Sequence, residues 1–177
     1  MSPGPKLEDL CVMIVEDDSF TRSLIKTVLR NMGVRTIHEA DGATLALEMM
    51  ATAAIDVIVS DIQMSPIDGL QFLRHLRAGT RPPGVVPPQA PPSQIPVIFL
   101  TAHAQVKLVE QARAAGVSAF LTKPIRPALL RERLLSVAPL VRRPERAAAK
   151  PTADAAQKAT ADPALQLDAI ASPTGSD

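Results

Sequence analysis

The segment VIVSDIQMSPIDG, residues 57–69, is the clearest indication of the fold in this sequence. Its apolar, β-branched start predicts a buried strand over Ile55–Ser60, with Asp61 directly after it. An amphipathic stretch from Asp68 to Ala78 comes next, and Gly79 stands where a helix is expected to end. The segment therefore predicts one β-α unit with an acidic residue at the end of its strand.

Four more pairs of an apolar run and an amphipathic run surround this unit. The predicted strands are 11–15, 35–39, 55–60, 97–101 and 119–122, and the predicted helices are 18–32, 42–51, 68–78, 105–115 and 127–138. Gly33 and Gly116 also follow helix-like stretches directly. Five β-α units with nearly continuous apolar strands predict an α/β fold, a doubly wound five-stranded parallel sheet with helices on both faces.

The composition narrows the class of protein. The chain has 177 residues and a net charge of +1, which argues against a nucleic-acid coat. Its single cysteine, Cys11, excludes an intramolecular disulfide and is expected to be a small core residue, so a reducing compartment such as the cytoplasm is favoured. No apolar run approaches the ~18 residues of a membrane span. We expect a cytoplasmic protein with no membrane segment.

The predicted domain contains one proline-rich stretch and is followed by a stretch of low complexity. Residues 1–8 are an N-terminal extension, and 9–143 form the domain. Seven of the fifteen residues from Pro82 to Pro96 are proline, so residues 80–96 are expected to form an extended surface loop within the domain. Residues 144–177 are rich in alanine and proline with few large apolar side chains, which predicts a disordered tail.

Polar side chains follow four of the predicted strands. Glu16, Asp17 and Asp18 follow the first, Asp61 follows the third, Thr101 ends the fourth and Lys123 follows the fifth. Functional groups of open parallel sheets lie beyond the carboxyl ends of the strands. If these strands are neighbours, the acids, the hydroxyl and the lysine line one crevice.

This set of side chains suits phosphoryl chemistry. Clustered carboxylates are unfavourable without a hard divalent cation, and Mg²⁺ prefers such oxygen ligands. Asp61 is the candidate nucleophile, while Lys123 and Thr101 are placed to bind the oxygens on which charge accumulates. Asp18 is expected only to cap the following helix.

The sequence resembles the receiver domain of bacterial two-component response regulators, across roughly residues 10–140. The matching segments are VMIVEDD at 12–18, VIVSDIQMSPIDG at 57–69, VIFLTAH at 97–103 and AFLTKP at 119–124. The resemblance implies a flavodoxin-like sheet with strand order 2-1-3-4-5, most similar to stand-alone chemotaxis-type regulators. The proline at Pro66, one place later than usual, leaves the loop length to Gly69 unchanged.

The resemblance also implies roles for individual residues. Asp61 would be the phosphoacceptor, and Asp17, Asp61 and the carbonyl of Gln63 would bind Mg²⁺, with Glu16 acting through water. Thr101 and Lys123 would contact the phosphoryl group. The resemblance further implies a switching aromatic at Phe120 and a cis bond at Lys123–Pro124. Gln63 and His103 stand two residues after Asp61 and Thr101, a position that suits control of an attacking water and a solvated loop residue equally well.

The expected function is a phosphoacceptor signalling protein rather than an enzyme acting on other substrates. Its donor would be a sensor histidine kinase or a histidine phosphotransfer protein, and its output a contact with an unknown downstream protein, as a monomer or a phosphorylation-dependent dimer without a DNA-binding domain. A haloacid dehalogenase-like phosphatase is disfavoured because position 63 is glutamine where that family needs an aspartate. A phosphorylation-independent interaction module remains a second alternative.

Overall fold

The computed structural model describes residues 6–79, 94–102 and 105–140. Within these ranges, five strands alternate with five helices. The strands are β1 (Cys11–Val15), β2 (Thr36–Ala40), β3 (Val57–Asp61), β4 (Val97–Thr101) and β5 (Ala119–Thr122). The helices are α1 (Ser19–Asn31), α2 (Ala43–Met49), α3 (Gly69–Ala78), α4 (Val106–Ala114) and α5 (Pro127–Val137).

The strands form one parallel sheet in the order β2-β1-β3-β4-β5. This confirms the predicted doubly wound topology. The most apolar strands, β1, β3 and β4, are buried along their whole length because they lie inside the sheet and are covered on both sides. β2 is more polar and more exposed because it is an edge strand.

Alternate residues of each strand supply the two cores. Met13, Ile58 and Phe99 point to the face covered by α2, α3 and α4. Ile14 and Val59 belong to the opposite core, which α1 and α5 cover with Ile25, Leu29, Leu130 and Leu134. Cys11 is 3% exposed in the first of these cores, as expected for a small apolar residue.

The element boundaries agree closely with the predicted ones. β1, β4 and β5 begin and end where expected, and Gly33, Gly79 and Gly116 have the positive φ that suits a glycine after a helix. β3 begins at Val57 rather than Ile55, because Asp56 turns its carboxylate to the main-chain N–H of Cys11 at 2.8 Å. Its last residue is Asp61, which pairs in register with Leu100.

The short segment before β1 contributes a side chain to the core. Leu7 lies in a short 3-10 turn, Leu7–Asp9, and is buried in the α1 and α5 core, so the predicted N-terminal extension contributes to packing. The predicted tail, 144–177, and most of the proline-rich loop, 80–93, lie outside the described residues. Over the described ranges, none of the helices has the length and apolar character needed to cross a bilayer.

Candidate functional site

The parallel register brings the polar strand ends to one edge of the sheet. Val15 of β1 lies beside Ser60 of β3, so the next residues, Glu16 and Asp61, are neighbours. Asp61 in turn pairs with Leu100, directly before Thr101. The main-chain N–H of Lys123 donates to the carbonyl of Thr101 at 2.8 Å. Strand order alone therefore brings Glu16, Asp61, Thr101 and Lys123 to the same edge of the sheet.

Three carboxylates form a cluster at this edge. Ligand oxygens of Glu16, Asp17 and Asp61 all lie within 4.8 Å of one another. Glu16 and Asp61 are buried, with 1% and 5% of their surface exposed, whereas Asp17 is exposed to solvent. A set of oxygen donors that is buried on one side and open on the other fits Mg²⁺, which binds through a few carboxylates and keeps several waters.

Lys123 is the counter-ion of the two buried acids. Its Nζ lies 2.9 Å from Glu16 Oε2 and 2.9 Å from Asp61 Oδ2. Burial raises the pKa of Glu16, the nearby Asp61 carboxylate raises it further, and the bond from Lys123 opposes both. Burial alone would lower the pKa of Lys123, but its two acidic partners together raise it above the ordinary value. The ammonium therefore stays charged in the pocket.

The β1–α1 loop carries Glu16 and Asp17 into the site. The side chain of Asp18 accepts a hydrogen bond from the N–H of Thr21 at 2.7 Å and caps α1, as the sequence indicated. The same bond lowers the pKa of Asp18. Arg22, one turn into α1, donates through Nη1 to the main-chain carbonyl of Glu16 at 2.6 Å. The loop is thus tied to the helix that follows it.

The β3–α3 loop positions Asp61 from the other side. Asp61 Oδ1 accepts from the N–H of Ile62 at 2.7 Å, and the N–H of Gly69 donates to the carbonyl of Ile62 at 2.9 Å. A Cβ atom on Gly69 would lie 2.4 Å from the carbonyl oxygen of Asp61. Asp68 and Gln71 form a capping box that begins α3. Only glycine allows this approach of the loop ends.

Other predicted positions lie in the same two loops. Gln63, the expected carbonyl ligand, is exposed in the β3–α3 loop, two residues after Asp61. The N–H of Ser65 in that loop donates to Asp17 Oδ2 at 3.3 Å, which links the two acidic loops. The bonds Lys123–Pro124 and Ser65–Pro66 are both cis, and the first was expected from the resemblance.

Thr101 and Phe120 lie on adjacent strands. Thr101 is 2% exposed at the end of β4. Phe120, on β5, is half-buried, and its ring centroid is 6.0 Å from that of Phe99 at an interplanar angle of 56°. His103 lies outside the described residues.

The sequence prediction missed two contributors, Arg22 and Gly69. Arg22 carried a weak signal, because an arginine four residues after the N-cap Asp18 can reach back to the loop before it. Gly69 was read only as part of a motif, and its close contact with Asp61 depends on the path of the main chain.

Comparisons with known proteins agree with this geometry. The family model of the response regulator receiver domain matches residues 12–135. The chain is 32% identical to the chemotaxis protein CheY of Pseudomonas aeruginosa, over 70% of this chain and 91% of that protein. It is 30% identical to the chemotaxis protein CheY-3 of Vibrio cholerae serotype O1, over 72% of this chain and 90% of that protein.

One solved structure is informative about the acidic edge. The receiver domain of a Pseudomonas aeruginosa sensor histidine kinase, determined with a magnesium ion in its active site cleft, matches with a TM-score of 0.59 at 26% identity. The match covers 73% of this chain and 96% of that one. With its sheet order, its acidic cluster and these relatives, the chain belongs to the response regulator receiver domain family of two-component signalling proteins.

Proposed function

We propose that Asp61 accepts a phosphoryl group from a phosphohistidine, in a Mg²⁺-dependent reaction in the cytoplasm. The donor is a sensor histidine kinase or a histidine phosphotransfer protein. The observation that carries this proposal is the position of the Asp61 carboxylate, which is 2.9 Å from the ammonium of Lys123 and clustered with those of Glu16 and Asp17. Of the described acids, Glu16 and Asp61 both pair with Lys123, and Asp61 is the one that ends the central strand β3.

The side chains of the pocket have separate tasks in this reaction. A carboxylate oxygen of Asp61 attacks phosphorus, the P–O bond forms as the P–N bond to the donor histidine breaks, and the histidine retains the electron pair. Ile62 holds Oδ1 of Asp61 and so orients the carboxylate. The ammonium of Lys123 donates to Oδ2 of Asp61 in this structure, and from there it is placed to bind a phosphoryl oxygen. Asp17, Asp61 and the carbonyl of Gln63, with Glu16 acting through water, would hold Mg²⁺, which would neutralise charge on the phosphoryl oxygens.

The output is a change of the surface formed by α4, β5 and α5, read by a downstream protein. Thr101 and Lys123 are joined through their main chains, so a change at the pocket reaches β5 directly. Phe120 lies on that strand, half-buried against Phe99, where a change of rotamer would alter both core and surface. We infer that Thr101 and Phe120 take part in the switch.

The test is intact-mass spectrometry after incubation with acetyl phosphate, with Mg²⁺ or with a chelator. We expect an acid-labile adduct of one phosphoryl group that requires Mg²⁺ and is absent in Asp61→Asn. Asp56→Asn is the matched control, because Asp56 directly precedes the same strand, at the end away from the pocket.

The outcomes separate the candidate functions. Beryllofluoride binding without an adduct would indicate a formed pocket that requires a protein donor, and a purified histidine phosphotransfer protein then replaces acetyl phosphate. A folded protein that shows neither signal would refute the phosphoacceptor role and leave a phosphorylation-independent interaction module.

A further inference from the structure

The side chain of Arg22 holds the acidic loop at two consecutive carbonyl groups. Its Nη1 donates to the main-chain oxygen of Glu16 at 2.6 Å and also reaches that of Asp17 at 3.5 Å. Its main-chain N–H donates to the carbonyl of the N-cap Asp18 at 2.9 Å, the ordinary bond at this place in a helix. One residue of α1 therefore restrains the whole main chain that carries Glu16 and Asp17. Its guanidinium bonds to carbonyl oxygens, so it leaves the carboxylates themselves open to a cation.

The two acids of this loop depend on that restraint to different extents. The carboxylate of Glu16 is buried and is held separately by Lys123 at 2.9 Å. The carboxylate of Asp17 is exposed, and the hydrogen bond it accepts from Ser65 is long, at 3.3 Å. The position of Asp17 thus depends more on the main chain beneath it, which Arg22 holds.

We propose that Arg22 is a positioning residue for the divalent cation. The contacts of its guanidinium with the carbonyls of Glu16 and Asp17 keep the Asp17 carboxylate in the cluster with Glu16 and Asp61, and so set the affinity for Mg²⁺. This inference rests on the proposed function, because it assumes that the cluster binds Mg²⁺. Residues that orient metal ligands from outside the ligand set change metal affinity by about 10- to 100-fold.

Positioning and electrostatics predict opposite effects of removing Arg22. The guanidinium is positive and lies beside the loop, so its charge alone repels a cation, and its removal would tighten Mg²⁺ binding. Loss of the hydrogen bonds releases Asp17 and weakens binding. The sign of the change in the Mg²⁺ dissociation constant therefore distinguishes a positioning role of Arg22 from a purely electrostatic one.

The experiment is a calorimetric titration of the full chain with MgCl₂, because the chain has no tryptophan or tyrosine to report binding by fluorescence. We expect Arg22→Met to raise the dissociation constant about tenfold. Arg22→Lys keeps the charge and a single donor group, so it should recover part of the affinity. Unchanged or tighter binding in both variants would overturn the proposal, and Arg22→Lys decides alone if Arg22→Met does not fold.

Arg30→Met is the matched control. Arg30 lies in the same helix and also donates through Nη1 to main-chain carbonyls, those of Val34 and Arg35, but at the end away from the acids. It should lower the unfolding temperature without changing the Mg²⁺ dissociation constant. If it weakens Mg²⁺ binding as much as Arg22→Met, the effect is general destabilisation and the positioning role is wrong.

Asp17→Asn separates this inference from the proposed function. A wild-type protein that shows no heat of Mg²⁺ binding beyond that of Asp17→Asn would refute the magnesium site itself. Wild-type binding that is lost in Asp17→Asn but unchanged in Arg22→Met would refute only the role of Arg22.

Discussion

Burial in the pocket disfavours the ionised form of Glu16. Its carboxylate is buried, and burial is the main cause that raises its pKa in the folded protein. A group whose pKa is higher in the folded than in the unfolded state favours folding at low pH. That contribution is lost as the pH rises through the folded-state pKa. At neutral pH without a cation, ionised Glu16 therefore opposes folding.

Glu16→Gln should make the protein more stable than wild type at neutral pH in the presence of a chelator. The difference should vanish below the pKa of an unfolded glutamate, about 4.3, because both side chains are then neutral. Thermal unfolding followed by circular dichroism across the pH range measures this. Glu48→Gln, at an exposed position of α2, is the control. A variant less stable than wild type at neutral pH would contradict the prediction.

Gly69 is the residue whose substitution should affect the site most directly through the main chain. An added Cβ would meet the carbonyl oxygen of Asp61 at 2.4 Å and the Cα of Ile62 at 2.8 Å, both parts of the backbone. Gly69→Ala must therefore displace the β3–α3 loop. We expect it to reduce both stability and Asp61 phosphorylation, measured by thermal unfolding and by intact mass.

Gly42→Ala is the comparison for that substitution. Gly42 also precedes a helix, but its φ of 172° is extended and nothing lies within 4 Å of an added Cβ. It should cost at most about 1 kcal/mol, the loss of a good N-cap residue, and leave phosphorylation unchanged. Equal effects of the two variants would show that the contact with Asp61 is unimportant.

At the scale of elements, Arg77 joins three parts of the fold. From the end of α3 it donates to the carbonyl of Gly116 at 2.8 and 3.2 Å, and to that of Ile95, before β4, at 3.0 Å. Burial lowers the pKa of its guanidinium. The side chain thus ties α3 to the start of β4 and to the turn between α4 and β5.

Arg77→Met should lower the free energy of unfolding by about 2 kcal/mol, since hydrogen bonds from a charged group contribute about 1.5–3 kcal/mol. Urea unfolding measures the loss. Arg74→Met, at an exposed position of the same helix, should be nearly neutral. Asp61 phosphorylation should persist in both, because these contacts lie at the end of the sheet away from the acids. Similar stability of the two variants would refute the role of Arg77.

Most of the elements were predictable because their signals are local. The apolar runs of β1, β4 and β5 and the glycines after α1, α3 and α4 are each visible within a few residues. The start of β3 was misplaced because Ile55 looks like a strand residue, while Asp56 beside it bonds to the distant Cys11. Contacts between segments far apart in sequence leave no local pattern.

The candidate site was predictable where its residues have a local signal, and not where it depends on contacts between distant segments. Glu16, Asp17, Asp61, Thr101 and Lys123 stand at strand ends, and strand order brings them together. The contacts of Arg22 with Glu16 and of Gly69 with Asp61 depend on loop paths, and no periodicity encodes those. Buried Leu7 was missed because the turn that carries it is only three residues long.

At the scale of the whole molecule, Mg²⁺ binding should be measurable as stability. A ligand that binds only the folded state stabilises it by about 2.7 kcal/mol at a concentration one hundred times its dissociation constant. We expect MgCl₂ to raise the unfolding temperature of wild type but not of Asp17→Asn. NaCl at the same ionic strength is the control for screening. An equal rise in both proteins would indicate a general salt effect.

The double pairing of Lys123 also has a consequence for which ions the pocket accepts. Three ionised carboxylates and one ammonium leave two negative charges, which one divalent cation balances. A monovalent ion would leave net charge in a partly desolvated place, and a trivalent ion would invert it. We therefore expect Lys123 to favour divalent over monovalent and trivalent ions at this cluster, separately from any selection by ionic radius.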